Sequence, residues 1–449
     1  MNKLPKNIIG EVFTSTNPED LLHSLCLDFG PRLAGSEDLK KAADFAASKL
    51  REYGLDNVGV EKFPMAVWQR GKSELKLFEP FLKSHPCIAL PYSTASNLKG
   101  ELLDLGWCSE EIVQEKAEQL RGKIVLVDNG NPPGSPKLHR LHKYLMVKEA
   151  GASAFLFAHT VPGMLAPTGS LAFDPNQGLD QTIPSAGLSL ETATEIREHL
   201  KRGAVTVQLD MENSLVNGSC QNVVATLPGA TEETVLLVGH LDGHDISHGA
   251  NDNASGSVAI LEIARILKLL NRKTRCTLKI ALFSGEELGL LGSHAYTKMH
   301  SDELEKIRMV FNLDIFGGQH GTLHMALHGT KDLENLIREI CSTVPDKLAI
   351  NTTIVPFSDH FPFYLKGINA AACHIPASSG GGWVHTAADT FDKVDLFALK
   401  RGIATLLPVL TSVLDLHEWP MPEIDVEKIK TELQQKGMDK LFKYLFGPE

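Results

Sequence analysis

The residue types best suited to chemistry in this sequence stand where apolar runs stop. Val235–Val238 runs into Gly239-His240-Leu241-Asp242, and a polar loop then reaches Gly249-Ala250-Asn251-Asp252-Asn253-Ala254-Ser255-Gly256. The run TLKIALF ends in Ser284-Gly285-Glu286-Glu287, and MVF ends in Asn312-Leu313-Asp314. Further on, the glycine-rich stretch Ser378–Gly382 leads to Trp383-Val384-His385-Thr386. Taken singly, each has a plain structural explanation. A histidine at a strand end is more often simply hydrogen-bonded, Asp252 can cap the helix that follows, and an acidic pair before a helix favours its positive end. Those explanations do not account for the recurrence at successive strand ends. His240, His385, Asp252, Asp314 and Glu287 make an imidazole–carboxylate set that suits Zn2+, and to a lesser degree Mn2+ or Co2+. With no cysteine among them, an open catalytic site is favoured over a structural zinc site.

For these side chains to meet, the strands that carry them must lie in one sheet, because functional groups in open α/β sheets collect at the carboxyl ends of strands. From about Asn222 the sequence reads that way. Strands at Val235–Val238, Cys276–Phe283, Met309–Phe311 and Ala370–Ile375 alternate with helical segments such as Ser257–Leu270. The fold class is α/β, with a mixed, largely parallel sheet flanked by helices. Upstream, Ser36 of RLAGS can cap a helix in which Leu39, Ala42, Ala43, Ala46 and Leu50 recur at helical spacing before Gly54, and Val58–Val60 reads as a short strand. The segment 97–210 has its own rhythm, with strands near Leu102–Leu105, Ile124–Val127, Ala154–Phe157 and Val205–Leu209. Helical patterns at Glu110–Leu120 and Leu141–Ala150 alternate with them, among turn-rich stretches such as NGNPPGSP. It is therefore expected to be a separate inserted module between residues 1–96 and 211–449, which together form the catalytic part. A charged helical tail, Val426–Leu445, is expected to pack outside the main sheet.

Composition narrows the partners. Lys and Arg total 44 against 55 Asp and Glu, a net charge of −11, which argues against nucleic acid because phosphate binding needs a concentrated basic face. The N-terminus lacks the apolar run of a signal peptide, and no uninterrupted stretch of ~18 apolar residues predicts a membrane span. Seven cysteines, odd in number and never in a CxxC pair, read as reduced buried thiols, so a cytoplasmic location is expected. No motif fixes the oligomeric state, and a homodimer is compatible with the sequence.

Taken in order, GHLD, GANDNASG, SGEELGLLGS, NLD and HTAADT resemble the co-catalytic zinc exopeptidases that include bacterial leucyl aminopeptidase, aminopeptidase Y and plasma glutamate carboxypeptidase. The resemblance runs from Asn222 to about Leu414. RLAGSEDLKKAADFAASKLREYGL resembles the N-terminal helix of the same catalytic domain. LKGELLDLG, LRGKIVLVDNG and KEAGASAFLF are similar to an inserted protease-associated α/β domain acting as a lid. The resemblance implies two divalent ions. His240 and Asp314 would serve one and Glu287 and His385 the other, with Asp252 bridging, Asp242 orienting a ligand histidine and Glu286 as general base. It further implies peptide-bond hydrolysis of short peptides through a metal-bridged hydroxide, with Glu286 taking the proton and returning it to the departing amine.

Within that reading an aminopeptidase comes first. A dipeptidase or glutamate-carboxypeptidase-like carboxypeptidase would need a cation for the substrate carboxylate, and no Arg/Lys cluster adjoins the metal motifs, although Arg140 or Lys143 of the inserted module are candidates. A non-catalytic peptide-binding protein on a peptidase fold would be expected to have lost a ligand or Glu286, and none is lost. His244 and His248, spaced i, i+4 in a polar loop, read as loop residues more readily than ligands. Ser358-Asp359-His360 resembles a family motif lining the substrate site, though an Asp-His pair there is equally explained as structural. Phe361, Phe363, Tyr364 and Trp383 read as core packing before pocket wall. No GxSxG elbow is present for a serine hydrolase.

Overall fold

The computed structural model describes residues 6–442, except 133, 136–137, 172–177, 320, 345, 378–381 and 421–423. The glycine-rich stretch before Trp383 and the end of the predicted tail helix therefore lie largely outside the described residues. The chain divides into two compact units. One takes in residues up to Pro64, Ser219–Val384 and Asp389–Glu427; the other takes in Met65–Gly218, His385–Ala388 and the chain from Lys428.

The first unit is built on an eight-stranded sheet. Its strand order is Asp56–Gln69, Ser214–Leu227, Thr277–Phe283, Thr234–His240, Ile307–Leu313, Asn369–His374, Leu323–His328 and Leu348–Asn351. The four strands from Thr277–Phe283 to Asn369–His374 pair in parallel. Ser214–Leu227 runs antiparallel to Thr277–Phe283, and Leu323–His328 runs antiparallel to Asn369–His374. Strand Thr234–His240 is buried at every position, as expected of a central parallel strand covered on both faces. Its aliphatic run VLLV has nothing polar to expose, and the hydroxyl of Thr234 before it donates to the Glu232 carbonyl.

Local sequence explains the covering helices. Ser36 Oγ accepts the Leu39 N–H at 3.1 Å and starts helix Glu37–Glu52, whose Leu39, Ala42, Ala43, Ala46, Ala47 and Leu50 are buried. Asp395 accepts the N–H groups of Phe397 and Ala398 to start helix Leu396–Leu414. That helix is long and apolar enough to cross a membrane by length and composition alone. It carries Lys400 and Arg401, however, and most of its residues are buried in this unit. It is a core helix. Lys400 Nζ donates to the Ser15 carbonyl at 2.7 Å, and Arg401 forms a two-pronged pair with Asp346.

The second unit has its own eight-stranded sheet, ordered Lys83–Pro86, Ser73–Glu79, Thr206–Met211, Ser96–Asp104, Ile124–Asp128, Ala154–Ala158, Ser185–Leu188 and Ile88–Ala89. It begins near Met65 rather than at 97. Thr206–Met211 lies between Ser73–Glu79 and Ser96–Asp104 and is hydrogen-bonded to both, so the strands Ser73–Glu79, Lys83–Pro86 and Ile88–Ala89 belong to this sheet and not to that of the first unit. Three local readings also shift. The short strand at Val58–Val60 is a fourteen-residue strand, Asp56–Gln69. The pattern Glu110–Leu120 is two helices that part at Lys116. The tail forms helix Val426–Gln435 and a short turn at Asp439–Leu441. All seven cysteines are buried free thiols.

Candidate metal centre

Strand Thr234–His240 has its sequence successor, Thr277–Phe283, on one side and Ile307–Leu313 on the other. Strand order reverses there, and such a switch point leaves a crevice beyond the strands' carboxyl ends. His240 closes the first of these strands, Asp314 directly follows the third, and Glu286 and Glu287 come after Ser284-Gly285 at the end of the second. The crevice is tight at the backbone level. A Cβ on Gly239 would come within 2.6 Å of the Leu313 carbonyl oxygen, so glycine is required before His240.

Three of the sequence-predicted ligands meet in this unit. His240 Nε2 lies 3.2 Å from Asp252 Oδ1 and 3.4 Å from Asp314 Oδ1, and the three side chains form one group able to hold a metal ion. Side-chain exposure rises from 1% at His240 through 8% at Asp252 to 22% at Asp314, so the group opens outward through Asp314. His240 Nε2 and Asp314 Oδ1 are buried and have no hydrogen-bond partner among the described residues. Buried polar atoms of native proteins are ordinarily paired. An imidazole nitrogen and carboxylate oxygens aimed at one point fit a divalent cation.

Each member is held by neighbours. His240 Nδ1 is 3.2 Å from the Asp242 carbonyl and 3.6 Å from Asp242 Oδ1. The Asp242 carboxylate also accepts the N–H groups of Glu286 and Glu287, both at 3.3 Å. It thereby ties the histidine to the acidic turn of the next strand, consistent with the orienting role that the resemblance implies for Asp242. The loop bearing Asp252 is clasped by Asp389, whose two oxygens accept the N–H groups of Asn251 and Asp252 at 2.9 and 3.0 Å. Ser358 Oγ donates to Asp314 Oδ2 at 2.7 Å and accepts from Asn312 Nδ2 at 2.6 Å, which leaves Asp314 Oδ1 facing His240.

Glu286 projects to 3.9 Å from His240 Nε2, with its side chain 13% exposed. Glu287 turns the other way, its Oε2 2.9 Å from His244 Nε2. The neighbouring acids thus serve different places, as the sequence predicts, and His244 gains a part that its loop setting concealed. His385 opens the stretch that groups with the second unit; its φ is +58° and its carbonyl accepts the Thr168 N–H at 2.8 Å. Asp359 and His360 are fully buried, with His360 stacked on His328 at 4.8 Å. Phe363 packs between Phe283 and Tyr296, and Phe361 and Tyr364 are buried with it, so these aromatics are core; Trp383 is half-buried.

The electrostatics follow from so many buried carboxylates. Burial, then the like charges of Asp314 and Asp359, push Glu286 well above the usual carboxylate range against the pull of His240. Burial opposes a charge on His240, but Glu286, Asp242, Asp252 and Asp314 raise its pKa well above the ordinary value. Burial lifts Asp359 and Asp389 to about 7. A pocket that concentrates negative charge in this way favours cations.

Sequence reading missed Arg32, a fully buried guanidinium that donates to the main-chain carbonyls of Leu241, His248 and Gly249 beside the site and of Leu25 and Gly30 in its own segment. It also missed the clasp by Asp389. The signal for Asp389 was its place in HTAADT; nothing local marks Arg32 apart from RLAGS. Of the cations considered as carboxylate anchors, Lys143 is buried in its own unit, donates to the carbonyls of Asp128 and Gly130, and is pushed down to about 8 by burial. Arg140 Nε donates to the Ser170 carbonyl at 3.1 Å.

Residues 222–410 match peptidase family M28, and residues 92–196 match the PA domain. Carboxypeptidase Q of Mus musculus is 27% identical over 299 residues, 64% of this chain and 62% of that protein. Leucine aminopeptidase 2 of Trichophyton equinum is 29% identical over 292 residues, 64% of this chain and 54% of that protein. The chain thus spans 62% and 54% of the lengths of these two curated relatives. A solved structure described as a peptidase M28 precursor from Shewanella amazonensis superposes with a TM-score of 0.80 at 26% identity, covering 93% of this chain and 98% of that one.

Proposed function

Because the chain belongs to peptidase family M28 and carries an inserted PA domain, we propose that it is a two-zinc aminopeptidase removing N-terminal residues from short peptides. Membership supplies the coarse activity, that of a metallo-exopeptidase; the ion count, the end of the peptide attacked and the role of each residue are our reading. The observation that carries it is the convergence of His240, Asp252 and Asp314, with Glu286 beside them and Glu287 turned away.

In this reading His240, Asp252 and Asp314 would hold one ion, and Glu287 and His385, with Asp252 shared, would hold the other. His385 is assigned from its place in HTAADT, and His244 is added beside Glu287 on the 2.9 Å contact. Bound there, divalent ions polarise the scissile carbonyl and acidify the attacking water. Glu286 accepts that water's proton and delivers it to the departing amine. Asp242 holds His240 and both glutamates in register.

The negative field favours a substrate ammonium over a carboxylate, although bound cations offset part of it. Among the described residues the buried guanidinium beside the site, that of Arg32, is committed to carbonyls, and Lys143 is spent within its own unit. The likeness to Carboxypeptidase Q favours the second reading, a carboxypeptidase or dipeptidase. Protein reconstituted with zinc should approach two ions per chain and cleave free-amine peptides faster than their N-acylated counterparts. Saturation at one ion in active protein would refute the dinuclear reading. Equal or faster cleavage of the acylated series would put the carboxypeptidase first, and two bound ions without hydrolysis would leave a binding protein. The free buried thiols support a reducing compartment, which we take to be the cytoplasm.

A further inference from the structure

Arg32 stands more than two hundred residues from the loop it grips. Its Nε donates to the Leu241 carbonyl at 3.0 Å, Nη1 to the carbonyl of His248 at 2.8 Å, and Nη2 to that of Gly249 at 3.1 Å. Nη1 also donates to the carbonyls of Leu25 and Gly30, at 2.6 and 2.9 Å, which anchor the guanidinium in its own segment. The Arg32 main-chain carbonyl accepts the Gly243 N–H at 3.2 Å. Both ends of the stretch 241–249 are therefore fastened to one side chain.

That stretch closes on itself at a neck of two glycines. A Cβ on Gly249 would lie 2.9 Å from the Asp252 carbonyl oxygen, 3.2 Å from Gly243 Cα and 3.4 Å from Arg32 Nη2, and Gly249 itself has a φ of +52°. One side of the neck continues into His240 and Asp242, and the other into Asp252. Among the described residues the guanidinium's hydrogen bonds all go to carbonyls, although Asp242, Asp389 and Glu287 are near enough to act on it through space. Its planar fork of five N–H donors is matched to carbonyls arriving from different directions.

We propose that Arg32 is a positioning residue for metal binding, a plug that keeps the neck of the loop 241–249 shut and so fixes the spacing of His240 and Asp242 from Asp252. The proposal rests on the metallopeptidase reading for its consequence in zinc affinity, but the closed neck is a property of the metal-free chain and can be tested alone. Arg32→Lys keeps the charge and loses the fork. Gly249→Ala keeps Arg32 and wedges the neck.

The test uses the full chain, stripped of metal, in wild type and both variants. Amide exchange is read over 241–254 with strand 234–240 as internal reference, followed by zinc titration against a competing chelator. Both variants should exchange faster over 241–254 while the reference strand stays protected, and zinc affinity should fall by roughly 10–100-fold, the usual cost of losing a group that orients a ligand. Wild-type exchange and zinc affinity in folded Arg32→Lys would overturn the proposal, leaving Arg32 as a buried counter-charge only. If Arg32→Lys does not fold, Gly249→Ala decides: unchanged exchange in a wedged neck overturns the idea, and faster exchange supports it. A wild type that binds no zinc would refute the metallopeptidase reading, while the exchange comparison still decides the plug.

Discussion

Glu286 and Glu287 share a turn and a residue type, yet their side chains part, one toward His240 and the other toward His244. They should therefore fail differently. Glu286→Gln keeps the shape and removes the carboxylate proposed as the base, so bound zinc should stay while turnover falls by about 10²–10⁴-fold. Glu287→Gln replaces a carboxylate by a poorer oxygen ligand, so zinc affinity should fall, and excess zinc should restore part of the lost activity. Parallel zinc titrations and rate measurements on the two variants separate the roles; near-normal turnover in Glu286→Gln would remove it as the base. The candidate ligands were legible in the sequence because acids and histidines at the ends of aliphatic runs are conspicuous. The bond from Ser358 to Asp314 and the part of Arg32 were not. Ser358 reaches an acid 44 positions away, and Arg32 speaks only to main-chain carbonyls, which carry no residue-type signature.

Strand ends and helix starts carry the site, and their agreement with the sequence is best where one element is self-sufficient. Helix Glu37–Glu52 is set by its own cap and apolar stripe, and strand Thr234–His240 by its unbroken aliphatic run. Asp56–Gln69 was underestimated because its exposed, glycine- and lysine-bearing residues join a sheet only through partners remote in sequence. One link between elements has a defined pH response. His300, just past helix Leu291–Met299, places Nε2 2.9 Å from Glu61 on that long strand. The hydrogen bond to Glu61 raises the histidine's pKa against partial burial. Because the folded value lies above the unfolded one, near 6.5, the link stabilises fully below that value and is lost as pH rises through the folded pKa. Denaturant unfolding at pH 5.5 and pH 9 should show this dependence, and Glu61→Gln should flatten it. An unchanged pH difference in Glu61→Gln would show that the pair contributes nothing measurable.

At the scale of the whole chain, the two sheets are each complete, and the sequence separated them by rhythm alone. It misplaced the border because the strand that draws Ser73–Glu79 into the second sheet, Thr206–Met211, lies more than a hundred residues later. Zinc that binds the folded chain and not the unfolded one must stabilise it by mass action, about 2.7 kcal/mol at a hundred times the dissociation constant. Removing metal with a chelator should lower the unfolding midpoint reversibly, read by calorimetry with and without added zinc; an unaltered midpoint would mean that no ion is held at the buried group. The same long reach of Arg32 has a consequence for biogenesis. Its grip on Leu241 and Gly249 spans 209 and 217 positions, and Asp389 must then arrive 138 positions after Asn251. Contacts so distant form late, since the intervening chain must first be made and closed into a loop. A ribosome-bound chain that has not yet delivered Asp389 lacks the clasp on the Asp252 loop. The two holds on the stretch 241–252, by Arg32 and by Asp389, are thus completed late in folding, after the strands between them have been made.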